Sequence, residues 1–355
     1  NASEGYDTVL AYTNWTLSAN LEQLNLLDAA THGTGNASDN LLVGNVNNNF
    51  LYGNGGVDRL EGWDGNDWLE GGAGVDVLVG GGGNDIYVVE TAGETTWENA
   101  SEGYDTVLAY TNWTLSVHLE QLNLYGSATY GAGNALSNLL VGNTNNDTLY
   151  GLDGDDVLEG SGGADTLWGG SGADTFMYRN ASDSNLAATD FIQDFQVGVD
   201  KIDLRALRTG GSDTYQIVAH NSGAGTWILI DLGGNGSEDA RIFLQGTLGV
   251  QSSDILWESF GAPLVLPDID ADGKIVKIEP PLVLPNFDDS LDPIVCGSPT
   301  ELAKADLFPT EDLVICWTPE ASPDAIEAAL SSSVERGWLP TGVRPDGQSD
   351  WDWIA

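Results

Sequence analysis

Eight aspartates occupy the sixth position of a nine-residue pattern, G-G-x-G-x-D-x-U-x, in which U is a large apolar residue. Asp58, Asp67, Asp76 and Asp85 lie in the stretch from Gly53 to Val88, and Asp147, Asp156, Asp165 and Asp174 in the stretch from Gly142 to Met177. One aspartate in a glycine-rich turn is a turn former. Eight in strict register are a donor set for a hard cation. Calcium takes six to eight oxygen ligands at ~2.3–2.6 Å, from carboxylates and carbonyls alike, whereas magnesium demands stricter geometry and keeps its water. Two carboxylates and the carbonyls of two tight turns meet the calcium requirement, and several ions are expected.

A second acidic motif lies further on. Asp268, Asp270 and Asp272 alternate before Gly273, and Glu279 follows after five residues. This is the spacing of an EF-hand calcium loop. Pro267 precedes it and Pro280 and Pro281 follow Glu279, which disfavours an exit helix. A helix-free DxDxDG calcium loop is expected, with a solvated acidic turn as the alternative.

The chain carries no catalytic constellation. His32, His118 and His220 belong to no H-E-x-x-H zinc motif, and no G-x-S-x-G elbow occurs. His32 is matched by Tyr130 and His118 by Asn20 in the other copy of a long repeat, so surface roles are expected. Cys296 and Cys316 are the only cysteines; a bridge between them is left open. This chain is therefore expected not to be an enzyme, although an upstream catalytic domain is compatible with it.

The elements that carry the aspartates follow from the same register. Glycine supplies the positive φ of the turns. The eighth positions, Leu60, Leu69, Leu78, Tyr87, Leu149, Leu158, Leu167 and Phe176, point into a dry core between two sheets. The register extends backwards in weaker form through Gly35–Val43, Gly44–Tyr52 and Gly133–Val141, with Asn40, Asn49 and Asn138 in place of aspartate. Above this period sits a larger one: NASEGYDTVLAYTNWTLS begins at Asn1 and again at Asn99. The first copy lacks the nonapeptide end that precedes the second, so the chain reads as the later part of a longer protein. Short strands at regular spacing with Gly-rich turns indicate an all-β solenoid.

Four regions are expected. Residues 1–178 form a parallel β-solenoid of two units offset by 98 residues, and residues 179–261 an antiparallel β cap. Residues 262–295 are a Pro- and Asp-rich linker with the DxDxDG loop, and residues 296–355 a small α/β or irregular module. Its clearest element is a helix opened by Ser322 and Pro323 and stopped at Gly337.

Net charge is −43, from 54 acidic and 11 basic residues, and Arg59 is the only base before Arg179. Internal ion pairs cannot neutralise the repeats, so a compact state needs bound cations. Nucleic acid and anionic membrane are poor partners. No apolar run approaches the ~20 residues of a membrane span.

The nonapeptides resemble the β-roll of RTX (repeats-in-toxin) proteins of type I secretion, and the segment from Asp194 to Leu204 resembles the serralysin C-terminal region. The resemblance covers roughly residues 1–260 and implies a right-handed parallel β-roll with two nonapeptides per coil. Residues 18 apart would then stack, pairing Asp58 with Asp76, Asp67 with Asp85, Asp147 with Asp165 and Asp156 with Asp174. Pairs edged by asparagine, such as Asn49 with Asp67, would bind more weakly. The resemblance further implies export to the exterior or cell surface and folding on external calcium. It leaves three roles open: a structural or adhesive surface protein that contacts a cell-surface polymer, the C-terminal part of an RTX protease, lipase or epimerase, or a self-associating surface-layer subunit.

Overall fold

The computed structural model describes residues 5–207, 216–232 and 237–257, and the backbone of the short strands Asp268–Ile269 and Ile275–Lys277. Asp270, Asp272, Glu279, both cysteines and the expected C-terminal module lie outside the described residues. The two strands around the DxDxDG motif pair antiparallel.

The chain winds into a parallel β-solenoid. Each coil of the repeat region contributes two short strands, such as Leu41–Val43 and Phe50–Tyr52, and the next coil repeats them 18 residues on. Three residues per strand suffice because only the middle one turns inward, as the alternation of side chains along a strand dictates. Leu42, Leu60 and Leu78 stack along one wall. On the other wall Leu51, Leu69, Tyr87, Val107, Leu122, Leu140, Leu158, Phe176, Ile202 and Ile255 form one unbroken column. These side chains belong to a single hydrophobic core and are nearly all fully buried. Their flanking neighbours in these short strands are less buried, which allows polar residues there, as at Glu70 in Trp68–Glu70 and Thr175 in Thr175–Met177.

The two walls differ in continuity. One is a twelve-stranded sheet from Trp15–Thr16 to Ile255–Leu256. The other is split into a six-stranded sheet that ends at Thr95–Trp97 and an eight-stranded sheet that begins at Trp113–Thr114. Among the strand pairings of the described residues, the seam between the two repeat units is therefore bridged by the continuous wall alone, through the pairing of Ile86–Val89 with Thr106–Ala109.

Parallel pairing runs past Tyr178. Asp190–Ile192 adds to Thr166–Ser171, and Lys201–Asp203 to Thr175–Met177. Ala240–Gln245 then pairs parallel with Asp190–Ile192 on one edge and antiparallel with Gly225–Asp231 on the other, and Gln216–Ser222 completes the meander. Among the described residues the only helical segments are the short 3-10 turns Arg205–Leu207 and Ser252–Asp254.

One local feature departs from the glycine pattern. The second turn position is left-handed even where it is not glycine, at Trp63 (φ 80°) and Leu152 (φ 85°). Such a backbone is unusual for bulky residues. The coil geometry imposes it, and both side chains lie exposed.

The column of apolar residues sets a stability expectation. Leu140→Ala, at a fully buried mid-column position, should destabilise the calcium-saturated protein by about 2–5 kcal/mol. The half-exposed neighbour Leu136, changed to Ala, should stay within about 0.5 kcal/mol. Urea unfolding in excess calcium compares the two, and equal effects would contradict the inward assignment.

Candidate metal centre

Each nonapeptide aspartate sits immediately before a strand, where the turn enters the wall. All eight are buried, with at most 2 % of their surface exposed. In seven of the eight, one carboxylate oxygen accepts the backbone N–H of the equivalent residue one coil earlier, whereas Asp147 Oδ2 accepts the N–H of Asn143 in its own turn at 2.6 Å. Asp58 N–H donates to Asp76 Oδ1 at 2.7 Å and Asp67 N–H to Asp85 Oδ1 at 2.6 Å. Asp147 N–H donates to Asp165 Oδ1 at 2.7 Å and Asp156 N–H to Asp174 Oδ1 at 3.0 Å. The pairs expected from the 18-residue step are thus adjacent in columns along the turns.

The other carboxylate oxygen has no partner. Oδ2 of Asp58, Asp67, Asp76, Asp85, Asp156, Asp165 and Asp174, and Oδ1 of Asp147, are buried without a hydrogen bond. None of the eight aspartates is ion-paired among the described residues; Arg59 is turned to Glu61 at 2.6 Å and Arg179 to Glu159 at 2.6 Å. An ionised oxygen in this state bears its full desolvation cost. It is the donor that a hard cation takes, and this chemistry fits calcium.

Asparagine at the same position behaves differently. Asn49 Oδ1 accepts the N–H of Asn45 at 2.7 Å, and its Nδ2 donates to the Ala30 carbonyl at 3.3 Å. Asn40 and Asn138 repeat the arrangement with the carbonyls of Leu21 and Leu119. An amide supplies its own donor and so ends a column without outside charge. Asn49 is in contact with the Asp67 column, since its N–H donates to Asp67 Oδ1 at 2.6 Å.

Burial is the main cause of a common electrostatic state. It pushes Asp58, Asp85 and Asp156 up to about 7, Asp67, Asp147 and Asp174 to about 6, and Asp165 to about 8, while Asp76 is raised as well. The donated backbone N–H opposes this shift, and neighbouring aspartates add to it at Asp58, Asp85 and Asp165.

The columns also extend beyond the nonapeptides. Asp85 N–H donates to Asp105 Oδ1 at 2.8 Å, and Asp105 N–H to Glu120 Oε2 at 2.8 Å. Asp165 N–H donates to Asp190 Oδ1 at 2.9 Å, and Asp174 N–H to Asp200 Oδ1 at 3.1 Å. Counting nine-residue steps misses these acids because the intervening turns differ in length. A shorter signal finds them: an acid two residues before a buried apolar side chain, as in Asp105 with Val107, Asp190 with Ile192 and Asp200 with Ile202. His32, in contrast, is exposed and stacks on Phe50, with ring centroids 4.8 Å apart.

Comparison with known proteins agrees with this geometry. Residues 66–269, more than half of the chain, match the family model described as Peptidase M10 serralysin C terminal. Residues 34–69 match the RTX calcium-binding nonapeptide repeat. Both describe non-catalytic parts. Serralysin A of Dickeya chrysanthemi is 52% identical over 56 residues, 16% of this chain and 11% of that protein. Serralysin C of the same organism is 51% identical over 56 residues, with the same shares. The match thus spans about a tenth of these relatives' length. The solution structure of a subunit of the Azotobacter vinelandii mannuronan C5-epimerase aligns with 24% identity and a TM-score of 0.31, covering 48% of this chain and 93% of that one.

The raised carboxyls set the sign of the pH dependence. The folded columns hold protons more tightly than the unfolded chain, so without calcium this contribution is fully present below about pH 4 and is lost as pH rises through 6–8. Calcium-free protein should therefore show more β signal near pH 5 than near pH 8, and calcium affinity should rise across the same interval as protons leave. Circular dichroism in chelator, and calcium titrations at both pH values, check the two slopes. A calcium-free fold that strengthens toward pH 8 would contradict the burial-driven shifts.

Proposed function

Because this chain belongs to the serralysin C-terminal family and carries RTX calcium-binding repeats, we propose that it is the calcium-folded β-roll of a protein that acts outside the cell. The observation behind this is the set of buried carboxylate oxygens without partners along each column of turns. In low calcium these oxygens oppose folding, and a chain of net charge −43 stays open and threadable for export. In the calcium-rich exterior the columns Asp58–Asp76, Asp67–Asp85, Asp147–Asp165 and Asp156–Asp174 would each hold cations between successive turns, with turn carbonyls completing the donor set. Asn49 would act mainly as an amide end to its column, leaving Asp67 and Asp85 as the carboxylates there. A site held at tenfold over its Kd adds about 1.4 kcal/mol, so several sites in series decide whether the roll exists.

For the folded roll a structural, surface or adhesive role is the leading proposal. The serralysin C-terminal match favours a second reading, in which the roll is the folding and secretion module of an enzyme. Self-assembly into a surface layer is a third. The DxDxDG loop at Asp268, Asp270, Asp272 and Glu279 would add a separate calcium site. We also assign residues 1–261 to one folding unit, with the segment from 262 onward dispensable for it.

Calcium titration of chelated protein, followed by far-UV circular dichroism with magnesium as control, tests the central proposal. A cooperative gain of β signal with calcium alone is expected, and a full β signal in chelator would refute calcium-triggered folding. Asp67→Ala combined with Asp85→Ala should raise the calcium midpoint, and an unchanged midpoint would remove these residues from the donor set. Deleting residues 262–355 should leave the titration intact; loss of the β signal would refute the boundary.

A further inference from the structure

The seam between the two repeat units breaks the nonapeptide rule at one place. The step from Asp67 to Asp85 is 18 residues, but the step from Asp85 to the next acid in the column, Asp105, is 20. In nonapeptide register Glu98 stands at the first position, where the repeats place glycine, and the turn after it is two residues longer. The lengthened turn brings a third carboxylate to the column. Oxygens of Asp85, Glu98 and Asp105 all lie within 4.8 Å of one another, and all three residues are buried.

Two of these groups are aimed into the seam without a partner. Asp85 Oδ2 and Glu98 Oε2 are buried and accept no hydrogen bond, in side chains only 1 % and 6 % exposed. The remaining oxygens are fixed by the surrounding structure. Glu98 Oε1 accepts a hydrogen bond from the hydroxyl of the fully buried Tyr87 and lies 3.4 Å from the backbone nitrogen of Gly81. Tyr87 Oη in turn accepts the Gly80 N–H at 2.8 Å. Asp105 Oδ1 accepts the Asp85 N–H at 2.8 Å. Room for the group comes from Gly80, where a Cβ would lie 2.2 Å from Asp85 Oδ2 and 2.4 Å from Glu98 Oε1.

We propose that Asp85, Glu98 and Asp105 form a divalent-cation site at the seam, built from side chains rather than from a second glycine turn, and suited to calcium. The proposal rests on the calcium reading of the columns and adds an ion that the nonapeptide count does not include. Three buried carboxylates with no base among them carry more charge than one ordinary pair of repeats, and Glu102 on the same turn adds to it. Arg59, which shares a surface cleft with Glu98, is turned to Glu61. Glu98 borders a surface cleft of about 280 Å³ lined with Arg59, Val79, Trp97 and Asn99, which provides a path for entry. The position gives the ion a task. Only the continuous wall crosses the seam in hydrogen bonds between strands, so a cation shared by Asp85 and Glu98 before the seam and by Asp105 after it ties the first unit to the second.

The test is an ion count on the full chain by equilibrium dialysis against calcium, with metal analysis of the retained protein. Glu98→Gln keeps the shape and the Tyr87 contact but removes the charge, and should bind one ion fewer than the native chain with an unchanged far-UV spectrum in excess calcium. Asp174→Asn, remote in sequence in the second unit, serves as control for the column reading. A lowered count for Asp174→Asn with a native count for Glu98→Gln overturns the seam site and leaves the column reading standing. Native counts for both variants, or a native chain that binds no calcium, overturn both. If Glu98→Gln does not fold, Glu98→Asp carries the test. It keeps the charge but shortens the reach, so one ion should bind more weakly, and a titration indistinguishable from the native one overturns the site.

Discussion

The structure depends on the burial of carboxylates that are only half satisfied. Each column aspartate is held in place by a backbone N–H, from the coil before it, as with Asp58 N–H and Asp76, or at Asp147 from its own turn. The same placement strips water from its second oxygen. Hydrogen bonding to one oxygen favours the ion, and desolvation of the other disfavours it. Burial wins at every column position for which a direction is resolved, from Asp58 to Asp190. A fold built this way is weakened wherever these carboxylates ionise without a partner.

The apolar column supplies the other half of the balance. Leu69, Leu122, Leu140 and Leu158 are fully buried in a core that is continuous along the solenoid. It is a thin core, one or two inward side chains per strand in the coils, and each coil rests on its neighbours as in other one-dimensional repeat folds. Such a stack has no lateral contacts to compensate for an unfavourable turn. The carboxylate columns on its flanks therefore weigh on its stability, and the raised position of Asp165, Asp156 and Asp58 makes that weight depend on pH.

The end of the solenoid shows how the pattern is closed. Past Met177 the columns continue through Asp190 and Asp200, but their steps lengthen and basic residues begin to pair with acids, as Lys201 does with Asp254 at 3.5 Å and Arg205 with Asp203 at 2.7 Å. The antiparallel strands Gly225–Asp231 and Gln216–Ser222 then cover the edge that a parallel stack leaves open. An exposed edge strand is a template for unwanted pairing, and a meander with its own buried face, including Ile228 and Ile230, moves that edge away from the coils to Gln216–Ser222.

Sequence by itself determined the repeat. Glycine, aspartate and one apolar residue at fixed offsets leave few backbone paths, so the solenoid, its inward leucines and the paired positions of Asp67 with Asp85 or Asp156 with Asp174 were legible from spacing and from the resemblance that the spacing carries. Only the tertiary structure decided where spacing fails. Asp105, Asp190 and Asp200 join the columns because the wall strands beside them keep their register while the turns between them change length. Glu98 reaches Asp85 because the lengthened turn redirects it toward the preceding coil. The physical reason is the same in each case. A periodic sequence encodes local turn geometry, which fixes the coil, whereas the meeting of residues across turns of unequal length is set by the strand pairing of the walls, and that pairing exists only once the coils are stacked.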